Sequence, residues 1–123
     1  MKRIGRKDTA PEMIVRRYLH SRGLRYRLHD KHLPGTPDIC LPRRSSVVFV
    51  NGCFWHGHDC RHGAAAARSN ADYWTAKIED NRGRDRRKCA ELRALGWHVE
   101  VIWECECGQP RKLAALARRV ARR

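Results

Sequence analysis

Four consecutive apolar residues, Val47–Val50, run without interruption from the turn "RRSS" into Asn51 and Gly52. A strand with one wet face would alternate apolar and polar side chains. An unbroken, mostly β-branched run of this length suits a central strand covered on both faces. In a chain of 123 residues, enough for one domain and too short for two comfortable ones, this run constrains the fold more than any other feature.

The flanking segments read as the elements that would cover it. "KDTAPE" opens a helix, with Thr9 as N-cap, Pro11 in the first turn and Glu12 three residues after the cap, as in a capping box. Ile14, Val15, Tyr18 and Leu19 then form one apolar face, and Gly23 is the stop. Leu24–Leu28 ("LRYRL") alternates like a half-buried strand, and "LPGTPD" is a turn that delivers Asp38 onto a short strand, "DICL". Further on, "ADYWTAKIEDN" and "RDRRKCAELRAL" read as helical, the second ending at Gly96. "WHVEVIWE" alternates again, with Trp97, Val99, Val101 and Trp103 on one face, and Pro110 opens a last helix with Leu113, Leu116 and Val120 inward. The expectation is a single α/β domain over residues 1–123, a mixed central β-sheet flanked by helices.

Charge narrows the partner. Lys and Arg number 27 against 13 Asp and Glu, a net +14 with a pI near 10.4. Basicity of this size points to a polyanion, above all nucleic acid, with an arginine-rich but merely solvated surface as the bland alternative. No run approaches the roughly 18 apolar residues of a membrane span, and "MKRIGRKDTAPE" lacks the apolar core of a signal peptide, so a cytoplasmic protein is expected. Six cysteines without a secretion signal, with histidines among them, read as metal ligands or free thiols rather than disulfides.

The stretch "VNGCFWHGHDC" carries the chemistry. Cys53, His58 and Cys60 are close enough in sequence to bind one zinc ion, which takes about four sulfur and nitrogen ligands in a tetrahedron. A fourth would come from "WECEC", as Cys105 or Cys107, since a sheet can set the ends of two distant strands side by side. Free cysteines beside a catalytic histidine are the competing reading. Cys40 and Cys89, among apolar neighbours, read as buried core thiols. Phe54 and Trp55 are adjacent, so both cannot enter one core from a strand, and an exposed aromatic on a basic protein stacks on or wedges between bases. Trp74 suits core and contact equally.

"PGTPD" suggests hydrolysis. Phosphodiester-cutting nucleases often carry Pro-Asp at a strand start, the carboxylate binding Mg²⁺, which polarises the phosphoryl oxygen and helps activate water. Asp38 would be that ligand, or simply a turn residue after Pro37. The matching strand ends "FVN" where such enzymes usually place Glu-x-Lys, so the Val50 carbonyl or water would complete the site. If His58 goes to zinc, His56 stays free to take a proton from water, its alternative being a surface histidine. Glu12 is either a cap or a second carboxylate near the metal, with capping weighing slightly more.

In order from about Lys7 to Cys105, "RKDTAPE", "LPGTPDI", "NGCFWHGHDC", "YWTAKI", "RDRRKCAELRALGW" and "VIWEC" resemble the very short patch repair (Vsr) endonucleases. The resemblance implies a restriction-endonuclease-like core with a structural zinc site, and a Mg²⁺-dependent nick 5′ to the thymine of a T:G mismatch. It implies Asp38 and the Val50 carbonyl for Mg²⁺, His56 as general base, Glu12 as the supporting acid, and Cys53, His58, Cys60 and Cys105 for Zn²⁺. Phe54 and Trp55 would wedge into the DNA beside the mismatch, with Met1, Lys2, Arg3 and Trp74 as further DNA contacts. Asn51 stands where family members often carry a histidine that assists the phosphate or leaving group, and Gly57 and Asp59 thin the His-rich run. The family's longer N-terminal arm would be short or absent. Double-stranded DNA is the implied partner, met by a monomer on the bacterial nucleoid, with mismatch-repair proteins as further candidates. The same core would also serve a restriction-type or modification-directed nuclease, and a zinc-stabilised DNA-binding module without chemistry would keep the charge and the zinc alone.

Overall fold

In the computed structural model of the chain, residues 9–52 and 71–121 are described. Helix α1 spans Ala10–Ser21, and the Thr9 side chain accepts a hydrogen bond from the Glu12 amide at 3.3 Å, with Pro11 in the first turn. Glu12, Val15 and Leu19 are its buried residues, a stripe at i, i+3 and i+7. Tyr18 packs at the edge of the core, whereas Ile14 is 41% exposed and lies off the expected face.

Four strands follow in spatial order β1-β2-β3-β4: β1 (Arg27–Leu28), β2 (Ile39–Leu41), β3 (Ser46–Asn51) and β4 (His98–Trp103). β1–β2 and β2–β3 are antiparallel, and β3–β4 is parallel, in register from Ser46↔His98 to Asn51↔Trp103. Between β3 and β4 lies α2 (Ala71–Ala94), and α3 (Pro110–Ala121) closes the described chain. The sheet is mixed, as expected.

Two differences from the sequence reading have plain causes. The alternation of "LRYRL" yields only a two-residue strand, both residues exposed, because β1 sits at the sheet edge and pairs with β2 alone. The two expected helical segments are one continuous helix through Gly83, whose modest cost within a helix is outweighed by 24 residues of otherwise helix-compatible sequence.

Both faces of the sheet are covered. On one, Val15 and Leu19 of α1 and Leu113, Leu116, Ala117 and Val120 of α3 pack on Ile39, Leu41, Val48 and Ile102. On the other, Leu92 and Cys89 of α2 meet Cys40, Val47 and Val99, with Phe49 and Trp97 at the margin. Neighbouring residues of β2 and β3 thus serve opposite cores, which is why Val47–Val50 shows no polar alternation. β4 divides likewise: Val99, with Trp97 just before the strand, goes to the α2 side and Ile102 to the other, while Trp103 is only half-buried.

The turn "LPGTPD" has left-handed φ at Gly35 (77°) and Thr36 (46°). A Cβ on Gly35 would stand 3.0 Å from the Lys88 Cβ on α2, so glycine serves both the backbone and the packing there. This turn lays Asp38 against the end of β3.

Candidate active site

Three elements meet at one corner of the sheet. Glu12 comes from the first turn of α1, His29 follows β1, and Asp38 precedes β2. A metal-ligating atom from each lies within 4.8 Å of the others, and this is the group among the described residues with such a donor set. Glu12 is buried to 2% exposure, and its Oε2 accepts from Arg16 Nη2 at 2.7 Å. His29 Nε2 lies 2.7 Å from the same oxygen. A carboxylate oxygen accepts, so in this contact the His29 ring nitrogen is the donor.

The reciprocal half of a capping box is therefore not what holds Glu12: Thr9 caps the helix, but the glutamate side chain turns to Arg16 and His29. The pattern of Thr9 and Glu12 is local, whereas the partner His29 is 17 residues away. Asp38 is anchored separately. Its Oδ2 accepts from the Val50 amide at 2.7 Å, across the β2–β3 junction. In an extended strand the N–H and C=O of one residue face the same edge, which for Val50 is the edge that carries β2. Asn51, the next residue, is buried at the end of β3.

His29 and Arg16 escaped the sequence reading. Nothing marks His29 except its position between a predicted strand and the turn that delivers Asp38. Its φ of 49° and the bond from its amide to the Asp38 carbonyl, at 3.1 Å, close the β1–β2 connection and turn the ring inward.

The parallel register also bears on the Cys/His loop. Asn51 pairs with Trp103, and Gly52 faces the Glu104 side chain, so β3 and β4 leave the sheet side by side, one residue before Cys53 and Cys105. Cys105 lies half-exposed on the short 3₁₀ turn Glu104–Glu106. Cys107 is 2% exposed, and its Sγ donates to the Trp103 carbonyl at 3.4 Å. Burial, aided by Glu106 and Glu104, pushes its thiol up to about 11. Burial likewise raises the thiols of Cys40 and Cys89, though Cys89 is only half-buried.

Trp74 lies in the first turn of α2. Met1, Lys2, Arg3, Cys53, Phe54, Trp55, His56, His58 and Cys60 lie outside the described residues. No helix among the described residues is long and apolar enough to cross a membrane.

Comparison with known proteins reaches the same region of the chain. The model of the family described as DNA mismatch endonuclease Vsr matches residues 1–62, which include Glu12, His29, Asp38 and Val50. The chain is 53% identical over 120 residues to the type II nicking enzyme V.XorIIP of Xanthomonas oryzae pv. oryzae, covering 98% of this chain and 88% of the relative. It is 46% identical over 106 residues to the type II nicking enzyme V.NmeAIP of Neisseria meningitidis, covering 86% and 75%. With the DNA mismatch endonuclease Vsr of Escherichia coli it shares 40% identity over 105 residues, covering 85% and 67%.

Proposed function

The chain belongs to the Vsr family of DNA endonucleases, and from that premise we propose that it nicks one strand of duplex DNA 5′ to the thymine of a T:G mismatch, by Mg²⁺-dependent phosphodiester hydrolysis. The observation that carries the reading is the Asp38 carboxylate, held on the Val50 amide and set against the buried Glu12. The donors fit a divalent cation: oxygens of two carboxylates converge, and the Val50 carbonyl would complete the set. When bound there, Mg²⁺ supplies charge stabilisation to the phosphoryl oxygen and a more acidic water.

The chain's own groups do the rest. Asp38 holds the ion, and the Val50 amide fixes the carboxylate's orientation. Glu12 lends the site a second carboxylate, which Arg16 holds in place by donating to its Oε2. His56 takes the proton of the attacking water at a ring nitrogen. Asn51 offers a neutral amide to the phosphate where relatives of the family often place an imidazole.

Cys53, His58, Cys60 and Cys105 would hold a structural Zn²⁺, which would tie the Cys/His segment to the residues after β4. The pairing of β3 with β4 supports this set, since it runs the two chains side by side up to Gly52 and Glu104. Cys105 suits the role better than Cys107, whose thiol is buried and engaged with Trp103. Phe54 and Trp55 enter the base stack, Met1, Lys2, Arg3 and Trp74 add DNA contacts, and the excess of lysine and arginine grips phosphates. A monomer suffices for one nick, on nucleoid DNA in the bacterial cytoplasm and in reach of mismatch-repair proteins.

The test is a duplex oligonucleotide carrying one T:G pair, incubated with Mg²⁺. Cutting of the T strand alone is expected. Equal cutting of the fully paired duplex would remove the mismatch from the reading and leave a restriction-type or modification-directed nuclease. No cutting with any divalent ion would leave a DNA-binding module.

A further inference from the structure

The third member of the corner cluster is a nitrogen donor. Both carboxylates have a place in the proposed reaction, but His29 has none, although its Nε2 and the ligating oxygens of Glu12 and Asp38 all lie within 4.8 Å of one another. We propose that His29 is a direct ligand of the catalytic divalent ion, and that its imidazole makes the site favour Mn²⁺ and related first-row ions over Mg²⁺. This rests on the reading that a divalent ion acts at Asp38.

Three points carry it. First, the three donors come from α1, the segment after β1 and the segment before β2, so the fold and not one local turn assembles them. Second, His29 is not a loose surface ring. Its side chain is 14% exposed, its backbone sits at a left-handed φ of 49°, and its amide is tied to the Asp38 carbonyl. Third, Nε2 donates a proton to Glu12 Oε2 at 2.7 Å. Adjacent ligands of a six-coordinate ion at about 2.1 Å lie roughly 3 Å apart, so the shared proton occupies a spacing that an ion can take over.

The donor chemistry then sets selectivity. Mg²⁺ prefers oxygen ligands in a strict octahedron and keeps its waters, whereas an imidazole nitrogen stabilises Mn²⁺, Co²⁺ and the later first-row ions. A site of two carboxylates alone would show less preference between them.

The experiment uses the full chain, purified with whatever zinc it carries, without DNA, titrated with MnCl₂. Bound Mn²⁺ is counted by its electron paramagnetic resonance, Mg²⁺ is measured by competition, and electron spin echo modulation reports any ¹⁴N nucleus bonded to the ion. In the unmodified protein, ¹⁴N modulation is expected. His29→Gln, which keeps a donor toward Glu12, should abolish it and weaken Mn²⁺ by about tenfold while changing Mg²⁺ by less than about threefold. Modulation that persists in His29→Gln, or equal weakening of the two ions, overturns the ligand role and leaves His29 a hydrogen-bond partner of Glu12. Mn²⁺ binding unaffected by Asp38→Asn removes the metal site itself, and the proposal with it. Should His29→Gln fail to fold, ¹⁵N-histidine labelling of the unmodified protein decides: a change from ¹⁴N to ¹⁵N coupling supports a histidine ligand, and no histidine coupling overturns it.

Discussion

Among the described residues, two glutamates are clamped between a histidine and an arginine, and only one of them belongs to a candidate active site. Glu12 accepts from Arg16 and His29, both at 2.7 Å. Glu100, in the middle of β4, accepts from Arg119 at 2.9 Å and lies 2.6 Å from His98 Nε2. The residue types are identical and the distances nearly so. What differs is the surroundings. Glu12 is 2% exposed and stands beside a second carboxylate, Asp38, which is anchored on a neighbouring strand. Glu100 is flanked by Val48 across the pairing and by α3 above it, and Arg119 is half in solvent. A Glu–His–Arg trio is therefore a way to keep one buried charge neutralised. A second acidic group within ligand distance makes it a candidate cation site.

The contrast breaks most sharply at Asp38. Asp38→Asn keeps the acceptor for the Val50 amide but loses the charge, so the nicking rate on a T:G duplex should fall by about a thousandfold or more, with the melting temperature nearly unchanged. A rate within tenfold of the unmodified protein would move the metal elsewhere. Glu12→Gln should cost less, about ten- to a hundredfold in rate, because the neutral amide still accepts from Arg16. Its signature is a rate deficit that extra Mg²⁺ partly restores.

Cys107 tests the exit of β4 through pH. Its folded-state pKa is raised, so the folded protein keeps the thiol proton while the unfolded chain loses it above the usual value near 9.0. Stability is then intact below pH 9 and falls as pH rises toward about 11. Urea unfolding at pH 8 and 10.5 should show an alkaline loss larger by on the order of 1–2 kcal/mol than in Cys107→Ala. An equal alkaline loss in the two proteins would contradict it. The smallest effect is at the second trio. Glu100→Gln should change stability by about 1 kcal/mol and leave the nicking rate within about twofold, so a large rate loss there would erase the distinction between the two clusters.

Much of the fold was readable because its signals are local. The cap at Thr9, the apolar run of β3, the turn before Asp38 and the inward Leu113, Leu116 and Val120 of α3 all follow from neighbours within a turn or two. Asp38 stood out for the same reason, since Pro-Asp after a glycine turn is a short-range pattern. The failures were equally physical. Ile14 fits the expected helical face but lies outside it, because the stripe that meets the sheet runs through Glu12, Val15 and Leu19. The two helical segments expected on either side of Gly83 are one helix, because one glycine does not stop a long helix. Strand β1 has the right alternation and almost no partner.

Sequence by itself determined the element types, the basic surface and the family, since periodicity, charge and motif survive without knowledge of what touches what. Only the tertiary structure decided that Glu12 leaves the cap for Arg16 and His29, that Asp38 hangs on the Val50 amide, and that Gly52 and Glu104 leave the sheet together. Apart from the Glu12–Arg16 pair, four positions apart on one helix, these are contacts between segments 12 to 52 positions apart, created by strand register and helix packing. No local pattern encodes such a distance, because it exists only once the β1–β2–β3 meander has closed under α1.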